Sequence, residues 1–300
     1  MRSLIHLLSL LMAIASLTAC TYRVRDSNVV IPRVAPSADI DAFRQQLPQY
    51  HIDQSRIATP DGAELYSMRF LRSDAVATVL YFGGNGYTLA RLAPHTVKTY
   101  MDARVNVVLV DHRGYGGSTG TPTIDKLMSD AIVAYDQSVD DPALKTFPLI
   151  VHGHSLGSFM AGHVASNRRL AGVILESSVT STEEWTAHLR SKQSAWIRLL
   201  VRRVVPDGAL AGKGNNSVIS GLDEPVLFVV GENDDVTPPR FSKTLFDATP
   251  LPEGEKRLLI VPERNHMNAS GSPQFRAALS EFIAHVTATA NDATIVRAKP

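Results

Sequence analysis

The segment Gly153-His154-Ser155-Leu156-Gly157 is where residue type and spacing first ask for chemistry. A serine with glycine two positions away on either side fits a sharp strand-to-helix turn that lifts the hydroxyl above a sheet edge. Such a turn holds the serine in a strained backbone conformation and needs small residues at both flanks. At ordinary glycine and serine frequencies the pattern arises by chance in roughly one chain in ten of this length. Its surroundings therefore matter. Pro148–His152 reads as a strand and Leu156–Asn167 as a helix, which is the setting the turn requires.

A serine hydroxyl needs a base to become a nucleophile, and the base needs an orienting carboxylate. Behind a nucleophile on such an elbow the chain order is acid, then histidine. The downstream histidines are His163, His188, His266 and His285. His266 lies in a loop directly after an apolar run, Arg257–Val261, and is expected to be the base. His285 falls inside a helical pattern, and His152 and His154 sit too close on the turn to face Ser155. These three are expected to pack or orient. Val226–Val230 leads into Gly231-Glu232-Asn233-Asp234-Asp235, which makes Asp234 the expected acid and Asp235 its neighbouring alternative. Glu176, at the end of an earlier apolar run, is a third. Developing negative charge on a substrate oxygen needs two converging N–H donors. Leu156 would supply one and Asn85, in the run Gly83-Gly84-Asn85-Gly86, the other. The glycine run lacks the G-x-G-x-x-G or Lys-Ser/Thr context of a phosphate loop.

The elements that would position these residues follow a regular rhythm. A hairpin is expected from Tyr50–Ile57 through Thr59-Pro60-Asp61-Gly62 to Glu64–Leu71, since Asp-Gly between alternating segments is a strong turn signal. Short apolar runs then alternate with helical patterns: Val76–Phe82, Thr88–Tyr100, Val105–Val110, Ile124–Val139, then the elbow. Ala171–Leu175, Val226–Val230, Pro239–Ala248, Arg257–Val261 and Gln274–Thr287 complete the series. Continuous apolar strands alternating with helices predict an α/β fold, with a mostly parallel sheet covered on both faces. The segment 180–222 is too long for a single crossover and is expected to form a helical cap over the carboxyl edge.

Four blocks resemble the α/β-hydrolase superfamily over roughly residues 50–290. They are Tyr81-Phe82-Gly83-Gly84-Asn85-Gly86, Val110-Asp111-His112-Arg113-Gly114-Tyr115-Gly116-Gly117-Ser118, the elbow, and Gly231-Glu232-Asn233-Asp234. They look most like a small esterase and thioesterase branch that includes depalmitoylase-like proteins, which commonly has His where this chain has Gly83. The resemblance implies hydrolysis without naming a substrate, and it makes Arg113 a structural brace near the site; the expected reaction is hydrolysis of carboxylic esters or thioesters, with no cofactor or metal. Peptide-bond hydrolysis by the same triad is a second expectation. A non-catalytic envelope binding protein on the same scaffold is a third.

The N-terminus carries a different message. Arg2 precedes an apolar run from Leu4 to Leu17, too short to span a bilayer, and Leu17-Thr18-Ala19-Cys20 follows. A charged start, a short apolar core and small residues describe an export signal, here residues 1–19. Cys20 is the only cysteine, so no internal disulfide accounts for it. The tetrapeptide resembles a bacterial lipobox, in which the cysteine carries lipid. That resemblance implies anchorage in the cell envelope, with Thr21 resembling outer-membrane rather than inner-membrane sorting. Residues 20–45 are expected to be a tether, 46–290 the catalytic domain and 291–300 a frayed tail.

A formal charge of +1 and scattered aromatics give no field or stacking ladder for nucleic acid. Removing residues 1–19 deletes only Arg2 and leaves 29 basic against 29 acidic side chains. Within the cap, His188–Arg203 holds five basic residues, no acidic one, and Trp196 among aliphatics. Two roles are open to it: a lid helix over the pocket, or a basic amphipathic helix on an anionic membrane surface.

Overall fold

The computed structural model describes residues 20–296, with side chains through residue 289. The export signal and the last four residues of the tail lie outside the described residues. The expected strands form, with ends shifted by a residue or two. They are β2 (His51–Ala58), β3 (Glu64–Leu71), β4 (Ala77–Phe82), β5 (Val105–Val110), β6 (Leu149–His154), β7 (Gly172–Glu176), β9 (Val226–Gly231) and β10 (Lys256–Val261). They build one sheet in the order β10-β9-β7-β6-β4-β5-β3-β2. From β5 to β10 neighbouring strands run parallel, and the β2–β3 hairpin adds antiparallel at one edge.

Strands β4, β5, β6, β7 and β9 are buried along their whole length. Their β-branched and aliphatic residues fill a core on each side, because successive side chains point to opposite faces. Phe82, Val108 and Val151 belong to one core, and Tyr81, Val107 and Ile150 to the other. The first core is covered by α4 (Ile124–Asp140) and α5 (Leu156–Asn167). The second is covered by α3 (Leu89–Lys98) and the long α10 (Pro273–Val296). Helix α9 (Pro239–Ala248) starts on a proline, which suits a first helical turn because its missing N–H had no partner there.

Residues 20–46 do not form the expected tether. Strand β1 (Cys20–Val24), helix α1 (Asp26–Val29) and helix α2 (Ile40–Gln46) lie against the domain and bury Val24, Val30 and Phe43. These elements are short and gain their contacts from distant parts of the chain, so they leave no periodic trace in the sequence. The cap is also only partly helical. It holds α6 (Thr182–Ser191), α7 (Ala195–Leu200), strand β8 (Val201–Pro206) and α8 (Asn216–Ile219). Strand β8 pairs in parallel with β1, forming a two-stranded sheet apart from the main one. The last helix continues to Val296, so residues 291–296 are helical rather than a frayed coil.

Arg113 braces two distant parts of the chain. Its guanidinium bonds Asp130 on α4 and Asp61 in the hairpin turn. The surrounding glycines are equally constrained. Gly116 has φ of 50°, and a Cβ there would meet the Asp111 carboxylate at 2.1 Å. Asp111 needs that approach, because it accepts from the N–H groups of Leu89 and Gly117 and so ties the start of α3 to this loop. Burial raises its carboxyl to about 6 despite those two donors.

Candidate active site

Strand β6 turns directly into α5, and Ser155 occupies the corner with φ 52° and ψ −115°. This conformation is rare for a residue with a side chain and is stored strain. The close packing around the corner explains both flanking glycines. A Cβ on Gly153 would lie 2.2 Å from the Gly157 carbonyl oxygen, and one on Gly157 would lie 2.0 Å from that of Phe82. The Ser155 N–H donates to the Glu176 carbonyl at 2.9 Å, which pins the corner to β7.

Loops after β9 and β10 bring Asp234 and His266 to the same edge. His266 Nε2 lies 2.8 Å from Ser155 Oγ, and His266 Nδ1 lies 2.9 Å from Asp234 Oδ2. A proton can therefore pass from the hydroxyl to the imidazole, while the carboxylate fixes the ring and stabilises its charged form. Asp234 is buried and receives further bonds from the Thr237 N–H at 2.8 Å and the Thr237 hydroxyl at 2.8 Å. Burial alone pushes its carboxyl up. The bond and charge of His266, with the Thr237 donors, outweigh that and hold it below the ordinary range. Asp235 does not share this site: it offers its backbone carbonyl to His188 of α6. His154 Nε2 donates to the His266 carbonyl at 2.8 Å and so holds the histidine loop from beneath. His285 pairs with Glu255 on the far side.

Asn85 and Leu156 both border the cavity beside Ser155. Their N–H groups have no acceptor among the described residues, as expected for the first residue of a helix in the case of Leu156. Asn85 is locked from behind, its side-chain oxygen accepting from the Tyr115 hydroxyl at 2.9 Å and the Ile31 N–H at 3.1 Å. Gly84 is required here, since a Cβ would meet His154 Nδ1 at 2.9 Å. Gly83 leaves room for Tyr87, whose ring fills the space a side chain would take. His112 completes the loop by donating Nε2–H to the Gly83 carbonyl at 2.7 Å.

Glu176 does not reach His266. It forms a second buried network in which it accepts from His152 Nε2 at 3.2 Å and from the Ser270 N–H at 3.0 Å. The Tyr100 hydroxyl bonds the other nitrogen of His152 at 2.5 Å. Burial opposes ionisation of Glu176, yet the His152 bond, the nearby imidazoles and Ser270 hold its carboxyl far below the usual value. Because Ser270 follows His266 in one loop, this network anchors the loop's far end. Sequence reading places Glu176 at the right edge but cannot see this partner. Thr237, three residues after Asp234, does leave a signal: an Asp followed by Thr in a turn offers its carboxylate to local donors.

The cavity over Ser155 has a volume of about 440 Å³ and draws on both cores. On one side it is apolar, with Val29, Ile124, Phe159, Val179 and Leu210; on the other stand Tyr81, Thr96, Thr99, Tyr100 and His152. Asn28 and Val29 come from the N-terminal segment, and Trp185 from α6. Among the described residues no group of three His, Cys, Asp or Glu side chains could hold a metal ion.

The elbow at the carboxyl edge of a mostly parallel, doubly covered sheet, with acid and histidine loops from later strands, defines an α/β-hydrolase. Residues 73–224, just over half of the chain, match the family described as serine aminopeptidase, S33, and the chain belongs to that family. It is 26% identical to protein bem46 of Schizosaccharomyces pombe over 269 residues, 84% of either chain. It is 31% identical to the lysophosphatidylserine lipase ABHD12 of Danio rerio over 76% of this chain and 63% of that one. Among solved structures, the esterase Pf2001 of Pyrococcus furiosus superimposes with a TM-score of 0.68 at 16% identity, covering 86% of this chain and 98% of that one. The protein is a hydrolase.

Proposed function

We propose that the protein hydrolyses carboxylic esters or thioesters through an acyl-enzyme. The carrying observation is the unbroken chain Ser155 Oγ, His266 Nε2, His266 Nδ1, Asp234 Oδ2, with contacts of 2.8 and 2.9 Å. Ser155 Oγ bonds to the substrate carbonyl carbon as its proton moves to His266. The oxyanion takes hydrogen bonds from the Asn85 and Leu156 N–H groups. As the tetrahedral species collapses, His266 returns the proton to the leaving alcohol or thiol. Water then attacks the acyl group, gives a proton to His266, and releases the acid while Ser155 regains its hydrogen.

The cavity supports esters over the N-terminal peptide bonds that the family's description suggests. An aminopeptidase must hold a charged ammonium beside the scissile bond, and an unpaired ammonium is costly to bury. No Asp or Glu lines this cavity among the described residues. Its apolar side suits an acyl chain instead, in keeping with the lipase and esterases to which the chain is similar. Labelling by a fluorophosphonate, lost in Ser155→Ala, tests the mechanism; an unlabelled wild type would favour a binding protein on a hydrolase scaffold. Turnover of acyl esters and thioesters, set against aminoacyl amides, tests the substrate class.

For location, we infer a lipid anchor on Cys20 in the bacterial cell envelope, more consistent with the outer membrane because Thr21 follows. Support is the sequence around Cys20 together with its free, exposed position. No helix among the described residues is long and apolar enough to cross a membrane. Loss of membrane fractionation in Cys20→Ser is the expected result; unchanged fractionation would remove the anchor.

A further inference from the structure

Helix α7 and strand β8 leave side chains outside that the fold has no use for. Trp196 is 65% exposed, Leu199 70% and Leu200 53%. The lid role considered for this stretch falls to Trp185 on α6, which lines the cavity; Trp196, Leu199 and Leu200 do not. A cluster of large apolar residues on a soluble surface marks something that covers it. Beside it, Arg190, Arg198, Arg202 and Arg203 line a shallow cleft together with Thr21 and Leu199. Arg190 is fixed there by bonds to the Val201 and Arg198 carbonyls at 2.8 and 2.9 Å. Arg198, Arg202 and Arg203 form no ion pair among the described residues, in contrast to Arg23 and Arg25, which both approach Asp207. Strand pairing sets Cys20 opposite Val201 and Thr21 opposite Arg203.

We propose that α7, β8 and β1 form a docking platform for an anionic bilayer. Trp196, Leu199 and Leu200 enter the interface, and Arg198, Arg202 and Arg203 take lipid phosphates. Three observations select a bilayer over a protein partner. Aromatic and aliphatic side chains stand beside arginines without carboxylates, the composition of an interfacial helix. The charge is of one sign on a chain that is otherwise balanced. Cys20, the site proposed above for the lipid anchor, lies within this same sheet. Thr21 of the cleft shares the N-terminal segment with Asn28 and Val29, and Arg190 shares α6 with Trp185; these three residues wall the cavity. Docking therefore sets the cavity wall beside the membrane and favours substrates already dissolved in it. This last step rests on the proposed hydrolysis; the platform does not.

Trp185 and Trp196 are the only tryptophans, so Trp185→Phe makes Trp196 a single reporter. The full chain, purified in detergent, is reconstituted into vesicles of phosphatidylcholine, with or without phosphatidylglycerol, that contain brominated lipid. In anionic vesicles Trp196 emission should shift to the blue and be quenched. Quenching should weaken as salt screens the arginines, be lost on adding Arg198→Glu, Arg202→Glu and Arg203→Glu, and resist excess inorganic phosphate. A Trp196 that stays unquenched in anionic vesicles overturns the proposal, as does abolition by inorganic phosphate or equal quenching with all three charges reversed. Concentration-dependent dimers with unquenched Trp196 assign the patch to a second copy instead. Far-ultraviolet circular dichroism and the urea midpoint of each variant report its folding. If the wild type fails to label with a fluorophosphonate, the hydrolase reading fails while Trp196 quenching still decides the platform.

Discussion

Asp234 shows how much chemistry a single residue can carry in this site. It is buried, ionised and bound by His266 and Thr237. Asp234→Asn preserves the shape but replaces an acceptor oxygen with an amide that cannot stabilise charge on His266. The expected outcome is a fall in kcat of about 10⁴ with little change in KM. Ester turnover measured for the folded variant checks this; a loss under tenfold would mean another group orients His266. Thr237→Val should act more gently, by removing one donor at 2.8 Å while leaving its N–H in place. At this scale Ser155, Asp234 and His266 were legible in the sequence, since each closes a strand in the order an elbow demands. Thr237, His152 and the side-chain role of Asn85 were less so, because their partners lie far away or act through atoms that a motif does not specify.

At the scale of elements, the contact between β4, β6 and α5 carries the site. Gly157 of α5 packs so closely on β4 that a Cβ would approach the Phe82 carbonyl oxygen to 2.0 Å and the Gly83 oxygen to 2.8 Å. Neither backbone atom can yield without moving the loop Gly83-Gly84-Asn85-Gly86. Gly157→Ala should therefore destabilise the protein by about 3 kcal/mol or more, in the range of overpacked cores, and reduce fluorophosphonate labelling in what remains folded. Gly254→Ala is the matched control: nothing lies within 4 Å of a Cβ there and its φ is unremarkable. It should leave stability unchanged or raise it by about 0.5 kcal/mol through the unfolded chain. Urea midpoints of the two variants decide the comparison. The sheet was readable because its strands are continuous apolar runs such as Val105–Val110. Strands β1 and β8 were not, since each is short and largely uncovered and pairs with a partner far along the chain. Asn28 and Val29, which wall the cavity, follow β1, and without that strand residues 20–45 read as a tether.

Over the whole molecule, acid resistance depends on two buried carboxylates at the carboxyl edge of the sheet. Glu176 and Asp234 both have folded-state values below their unfolded ones. A depressed value means that the unfolded chain takes up protons first. The stability each contributes is thus fully present above the unfolded value, near pH 4, and is lost as pH falls towards the folded one. Urea midpoints should drop steeply below about pH 4. Asp111 acts in the opposite sense: its value of about 6 lies above that of the unfolded chain. Its contribution is complete below pH 4 and fades as pH rises through 6, so midpoints should rise slightly from pH 7 to 5 before the acid loss sets in. Glu176→Gln separates these effects. It replaces the carboxylate to which His152 donates with an amide and should cost roughly 2 kcal/mol at pH 7, the scale of a hydrogen bond to a charged group. It should also flatten the decline below pH 4, because one of the two depressed groups is gone. The Ser270 N–H would lose its carboxylate acceptor as well, so the loop carrying His266 should loosen and ester turnover should fall even where the variant is folded. A variant with the wild-type acid profile would show that Glu176 is already neutral in the native protein, and that the network beneath the histidine loop is held by hydrogen bonds without charge.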